Sequence, residues 1–162
     1  MCIRDRLYIS TVNAVRALPD SVSRHVVDDM KALLTVTSNQ AAQLANHFVS
    51  ADGTGRIAII CPDDLIKPVR EAVRHRLSSL MAPSEYQRLI DQPEWDEQIS
   101  VCGTEMVKGL EFDAVIVIEP GRIEDDAPSR LVAASDLYVA TTRPTQKLVI
   151  VRTKEDERSL NI

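Results

Sequence analysis

The sequence is short of most residues and motifs that announce a self-contained chemistry. It has no G-x-x-x-x-G-K-[ST], no G-x-G-x-x-G, no G-x-S-x-G and no H-E-x-x-H. Nothing in it therefore cradles a nucleotide's phosphates unaided or activates a nucleophile. Its three cysteines (Cys2, Cys61, Cys102) are too far apart for a zinc knuckle or a disulfide framework, and two of them fall in predicted strands, where Cys acts as a small hydrophobe. The three histidines, His25, His47 and His75, have no carboxylate or thiol at ligand spacing, so no metal site is expected in this chain. The longest apolar runs, Val115–Ile118 and Leu148–Val151, are far short of the ~20 residues a membrane-spanning helix needs. No secretory h-region is present either, and the expected compartment is the cytoplasm. There is no basic excess: the formal net charge is −5, which argues against a free-standing nucleic-acid binder but not against one wall of a groove.

What is there is an ordinary soluble composition. At 162 residues, 44% hydrophobic and 27% charged, the chain is about one domain and buries roughly two thirds of its unfolded surface. Met1–Arg6 (MCIRDR) fits no element and resembles a translated adapter sequence, so a non-native start is expected there, and with it a chain that is a fragment. A strand is expected over 7–12, and helices over 21–34 (Val22, Val26, Met30 and Leu33 inward) and from Ser38 to about Ser50. The segment 7–55 has no domain assignment. From Arg56 the pattern becomes regular. A buried strand, Arg56–Cys61, leads to a helix ending at Leu80, with Val69, Val73, Leu77 and Leu80 inward. Ser84–Gln87 opens a short helix, and Tyr86 and Trp95 are aromatics of no assigned role. Strands follow at about 98–103 and 112–118, then an acidic loop over 121–127. A helix from Pro128–Ser129 to Thr142 places Leu131, Ala134, Leu137, Tyr138 and Thr141 inward, and a last strand over 147–151 precedes a polar tail from Lys154. Alternating strands and helices predict an α/β fold, a parallel sheet with helices on both faces. Ligands of such sheets gather at the carboxyl ends of the strands, which points to the turn at Lys108 and the helix end at Arg143.

Those two places carry the most specific signal. Lys108-Gly109-Leu110-Glu111-Phe112-Asp113 sets a cation, a glycine and a carboxylate before the apolar run that ends at Ile118. Leu137–Leu148 is a helix end presenting Arg143 just before the last strand. "KGLEFDAVIV" resembles motif V, and "LYVATTRPTQKLVIV" motif VI, of UvrD/Rep-type superfamily 1 DNA helicases, in the family's order. The match covers about residues 98–152, and the strand–helix unit at 56–80 fits the same domain.

The resemblance implies a RecA-like (P-loop NTPase-type) second motor domain over 56–153, incomplete as it stands, with 154–162 as tail. It implies that Arg143 is an arginine finger for an ATP γ-phosphate. Lys108, Gly109 and Glu111 would border the nucleotide, and Gly103, Thr104 and Glu105 would contact single-stranded DNA. The cofactor implied is ATP with Mg, whose metal ligands would lie on an N-terminal RecA-like domain of the same parent. The partners implied are that domain and DNA, RNA polymerase, or both; this stretch alone would be inactive. Glu105 stands where the helicases usually carry histidine, and an acidic side chain repels a phosphate backbone. Pro144 replaces the usual alanine, and Asn13–Arg16 is at most a degenerate motif IV. Glu105 and the T-R-x-T-Q string look closer to the HelD-like motors that release RNA polymerase from nucleic acid. A non-catalytic α/β interaction domain that kept the fold and lost the site is the reading from another class.

Overall fold

The computed structural model describes residues 20–49, 55–80, 82–84 and 98–159. The adapter-like start, the strand at 7–12, Arg16, Tyr86 and Trp95 lie outside the described residues.

Two apolar runs set the centre. Ile57–Ile60 (β2) is buried at every position, and Phe112–Ile118 (β4) at every position but Asp113. The two pair in parallel, Ile59 beside Ile116. A strand apolar on both sides must be covered on both faces, and it is. One face of the sheet (Ile57, Ile59, Val101, Ala114, Ile116, Ile118, Val149) packs on Leu33, Ala41 and Leu44 of a helix at Met30–Leu44 (α1) and on Leu65, Val69, Val73 and Leu77 of a helix at Asp63–Leu80 (α2). The other face (Ala58, Ile60, Val115, Val117, Leu148, Ile150) packs on Val107, Ile123, Val139 and Ala140. Each fully buried Ile or Leu contributes about 1.5–3 kcal/mol relative to exposure.

The described sheet is wholly parallel, in the order β1-β5-β4-β2-β3, where β1 is Val22–Val27, β3 Ile99–Cys102 and β5 Pro144–Thr153. The remaining helices are α3 (Pro120–Asp125), α4 (Arg130–Thr142) and α5 (Lys154–Ser159). This is the α/β, RecA-like architecture expected, with helices on both faces. No helix among the described residues is long and apolar enough to cross a membrane.

Several elements differ from expectation. Residues 22–27 form an edge strand, not the start of a helix. Val22 and Val26 have helical spacing, but β1 pairs along its length with Leu148–Thr153 of β5 and only half-buries its side chains. The helix begins at Met30, not at 21, and the Asp29 carboxylate caps it by accepting from the Ala32 amide at 2.8 Å. It then runs through the expected break near Ser38 and ends in a π-helical turn, Ala45–Val49. The expected acidic loop is helix α3: the carboxylate of Asp156 accepts from the amides of Gly121 (3.2 Å) and Arg122 (2.9 Å), satisfying the helix start from far along the chain. For the same reason the expected polar tail is helical at 154–159, with Asp156 only 2% exposed. Leu131 (81% exposed), Tyr138 (54%) and Leu80 (57%) point outward; the buried residues of α4 are Ala133, Asp136, Val139, Ala140 and, as expected, Thr141.

Candidate functional site

The stretch between β3 and β4 is not a hairpin. β2 lies between the two strands, so residues 103–111 form a parallel crossover running from the carboxyl end of β3 to the amino end of β4. It carries a short 3-10 helix, Thr104–Val107, whose Val107 is fully buried and anchors it to the sheet. The turn that follows needs a residue of positive φ, and Gly109 supplies it at +78°.

This topology divides the expected site residues. Gly103, Thr104 and Glu105 follow the carboxyl end of β3, whereas Lys108, Gly109 and Glu111 sit before the amino end of β4. Arg143 sits before the amino end of β5. The turn and the helix end therefore meet at the amino edge of the sheet, not at the carboxyl ends where ligands of open sheets usually gather. The expectation was misplaced because each segment prepares the strand it precedes.

The meeting is direct. The Phe112 amide donates to the carbonyl of Arg143 at 3.1 Å. Arg143 Nη1 donates to the carbonyl of Leu110 at 3.4 Å, a long bond. One step along, the Asp113 carboxylate accepts from Gln146 Nε2 (2.9 Å) and from the amide of Arg56 (2.9 Å), tying β4 to β5 and to the residue before β2. The Arg56 guanidinium lies 5.7 Å from the Phe112 ring centroid, within cation–π range. Arg143 itself is half-buried, and its Nε is buried with no hydrogen-bond partner among the described residues. The buried Nε is out of a ligand's reach, so an anion would meet this half-buried guanidinium through its terminal nitrogens.

Lys108 is in a different condition. Its Nζ bonds Glu105 at 2.6 Å and lies 3.6 Å from Asp136 of α4. The hydrogen bond to Glu105, seconded by both carboxylate charges, raises its pKa above the usual lysine value. Lys108 thus serves the protein's own carboxylates, and Glu105 is a partner of Lys108 before it is a neighbour of any ligand. Glu111 is exposed on the outside of the turn. The sequence reading missed Asp113, Gln146 and Asp136. The signal for Asp136 was its place three and four residues before Val139 and Ala140 on one helical stripe.

Other groups are chemically quiet. Burial pushes the Cys61 thiol up to about 12, with Cys102 second as a cause, and burial pushes Cys102 to about 11. Both remain protonated and unreactive. The carboxyl edge holds a cavity of about 620 Å³, lined among others by Asp28, Asp29, Glu119 and Asp156. Its carboxylates repel a phosphate, and the two buried ones are engaged: Glu119 accepts from the Thr153 amide (2.5 Å) and hydroxyl (3.1 Å), and Asp156 caps α3. No group of three or more His, Cys, Asp or Glu among the described residues could hold a metal ion.

No protein-family model and no curated protein sequence matches the chain. A solved structure does match in fold. The C-terminal domain of a possible DNA helicase from Lactobacillus plantarum WCFS1 superposes with a TM-score of 0.59, covering 91% of this chain and 84% of that one at 17% identity. The two share a fold. At that identity the likeness extends to architecture and not to residue roles.

Proposed function

We propose that this chain is the second RecA-like motor domain of a superfamily 1 ATP-dependent DNA helicase or translocase, and that it completes an ATP site carried mainly by a first motor domain. The observation that carries the reading is Arg143: a positioned guanidinium with a buried, unpartnered Nε at the sheet edge where the Lys108–Glu111 turn also ends. A planar, permanently charged group of this kind neutralises charge developing on phosphoryl oxygens. Its terminal nitrogens suit an ATP phosphate; among the described residues no group of three or more His, Cys, Asp or Glu could hold a metal ion, and in this reading the Mg ligands belong to the first domain. ATP hydrolysis would supply the free energy for motion. What this chain's residues do is narrower. Arg143 meets the γ-phosphate, Gly109 lets the turn's backbone come close to the nucleotide, and Glu111 reaches its ribose side. Lys108 holds the turn instead of the phosphate.

The test is Arg143→Ala in the protein joined to its Walker-bearing domain. Loss of ATP hydrolysis with ATP binding retained is expected. Unchanged hydrolysis overturns the finger and leaves a non-catalytic α/β interaction domain.

A second reading within the motor class rests on Glu105. Its carboxylate sits at the crossover's DNA-facing start in this assignment, and Lys108 is shared between it and Asp136, so the local charge stays negative. Such a surface suits an ATPase that displaces RNA polymerase from nucleic acid better than one that tracks along a strand. Polymerase co-purification with weak strand unwinding supports it; strong unwinding counts against it.

A further inference from the structure

Asp136 is the one acidic side chain on the buried stripe of α4, at 8% exposure among Ala133, Val139 and Ala140. A carboxylate in such a place loses hydration and needs compensation. Asp136 Oδ1 has no hydrogen bond among the described residues; Lys108 Nζ at 3.6 Å is the cation that faces it. Lys108 stands on the crossover, one residue before the glycine turn, while Asp136 stands two helical turns before Arg143 on the same helix. The ion pair therefore links the turn to the body of the arginine-bearing helix, and the Leu110–Arg143 bond links it again at the helix end. Two attachments spaced along one helix fix an orientation that a single attachment leaves free to pivot.

We propose that Asp136 is a positioning residue: its buried carboxylate holds Lys108, so that the Lys108–Glu111 turn and Arg143 are presented as one rigid unit. The consequence for nucleotide chemistry rests on the reading of Arg143 given above; the mechanical coupling does not. Lys108, itself exposed, is then a strut on the surface of the crossover. Glu105 at 2.6 Å closes the pair from the solvent side, and Asp136 from the core side.

The experiment is a double-mutant cycle on the 162-residue chain with Lys108→Met, Asp136→Asn and the pair, read by amide hydrogen exchange at residues 109–112. Each single variant is expected to speed exchange there roughly threefold to tenfold, with the double no faster than the quicker single. Asp136→Glu keeps the charge and is expected to restore most of the protection, which simple loss of helix packing would not allow. Rate increases that multiply in the double variant, or unchanged exchange in Asp136→Asn, overturn the proposal. So does an Asp136→Glu variant as fast as Asp136→Asn. In the ATP-hydrolysing protein, Asp136→Asn is expected to lower kcat with little change in KM for ATP. If Arg143→Ala is silent there, the nucleotide reading falls while the exchange result still decides the coupling; if Arg143→Ala abolishes turnover and Asp136→Asn leaves kcat intact, the positioning role falls alone.

Discussion

The amide of Phe112 donates to the carbonyl of Arg143 at 3.1 Å, joining the first residue of β4 to the C-cap residue of helix α4. Because this is a backbone bond, no substitution at either position except proline at 112 removes its donor or acceptor. The two segments resembling motor motifs are thus adjacent by virtue of strand order: β4 and β5 are neighbours, and what precedes them must meet at one edge. The placement of Arg143 is a property of the sheet, and its orientation is a property of the side chains around it.

Asp113 is the first of those side chains to test. It satisfies the Arg56 amide and the Gln146 carboxamide, both at 2.9 Å. Asp113→Ala leaves the part-buried Arg56 amide without that acceptor and is expected to cost about 1–3 kcal/mol. Gln146→Ala removes only an exposed donor and is expected to cost under about 1 kcal/mol. Urea unfolding of the two variants checks the ratio; equal losses would show that Gln146, not Arg56, is the partner that matters.

Gly109 isolates backbone strain from packing. Its φ is +78°, and a Cβ built there meets nothing within 4 Å. Gly109→Ala is therefore expected to lose about 1 kcal/mol purely from the left-handed conformation, and Gly109→Asn less, since Asn tolerates that region. A loss well above ~2 kcal/mol in urea unfolding would mean that the turn packs against something.

The residues that were easy to read are those whose environment is the same on all sides. Ile57–Ile60 and Phe112–Ile118 are apolar runs because they are buried on both faces, and the sequence pattern says so without ambiguity. β1 is harder. As an edge strand it half-exposes Ser23 and His25, leaves Arg24 outside, and places Val22 and Val26 four apart, which imitates a helix face. Helix α3 owes its start to Asp156, 34 and 35 residues downstream, and no local window contains that bond. The site divides in the same way. That Lys108, Gly109 and Arg143 lie in the two motif-like segments was visible in the sequence, but which edge they occupy follows from β2 lying between β3 and β4. That Lys108 is taken up by Glu105 and Asp136 follows from the rotation of α4, which turns Asp136 inward and Leu131 and Tyr138 outward.

That rotation makes its own prediction. Val139 is 9% exposed and packs in the cluster with Val115, Leu148 and Ile150, whereas Leu131 is 81% exposed. Val139→Ala is expected to cost about 1–3 kcal/mol from lost burial and the cavity left behind. Leu131→Ala, although it removes more carbon, is expected to stay within about 0.5 kcal/mol. Thermal unfolding separates them, and a larger loss at Leu131 would return the helix to the orientation its spacing first suggests.

Asp156 gives the chain an unusual response to pH. Burial, and then the neighbouring Glu119, push its carboxyl from an ordinary 3.8 to about 6, against the opposing pull of the Gly121 and Arg122 amides and of Arg152. Between those two values the folded chain holds a proton at Asp156 that the unfolded chain has released. Protonation therefore favours the fold, and this residue's contribution falls as pH rises from about 4 through 6, the reverse of a salt-bridged carboxylate. The swing is on the order of 1–3 kcal/mol across the window. Asp156→Asn keeps one of the two acceptor oxygens for the α3 amides, a loss that is the same at every pH, and removes the titration. In thermal unfolding at pH 4.5 and 7.5, the variant is expected to gain on the wild type at the higher pH, by a few degrees per kcal/mol recovered. Parallel curves for the two proteins would mean that the Asp156 carboxylate is as comfortable folded as unfolded, and that its two backbone bonds outweigh its burial beside Glu119.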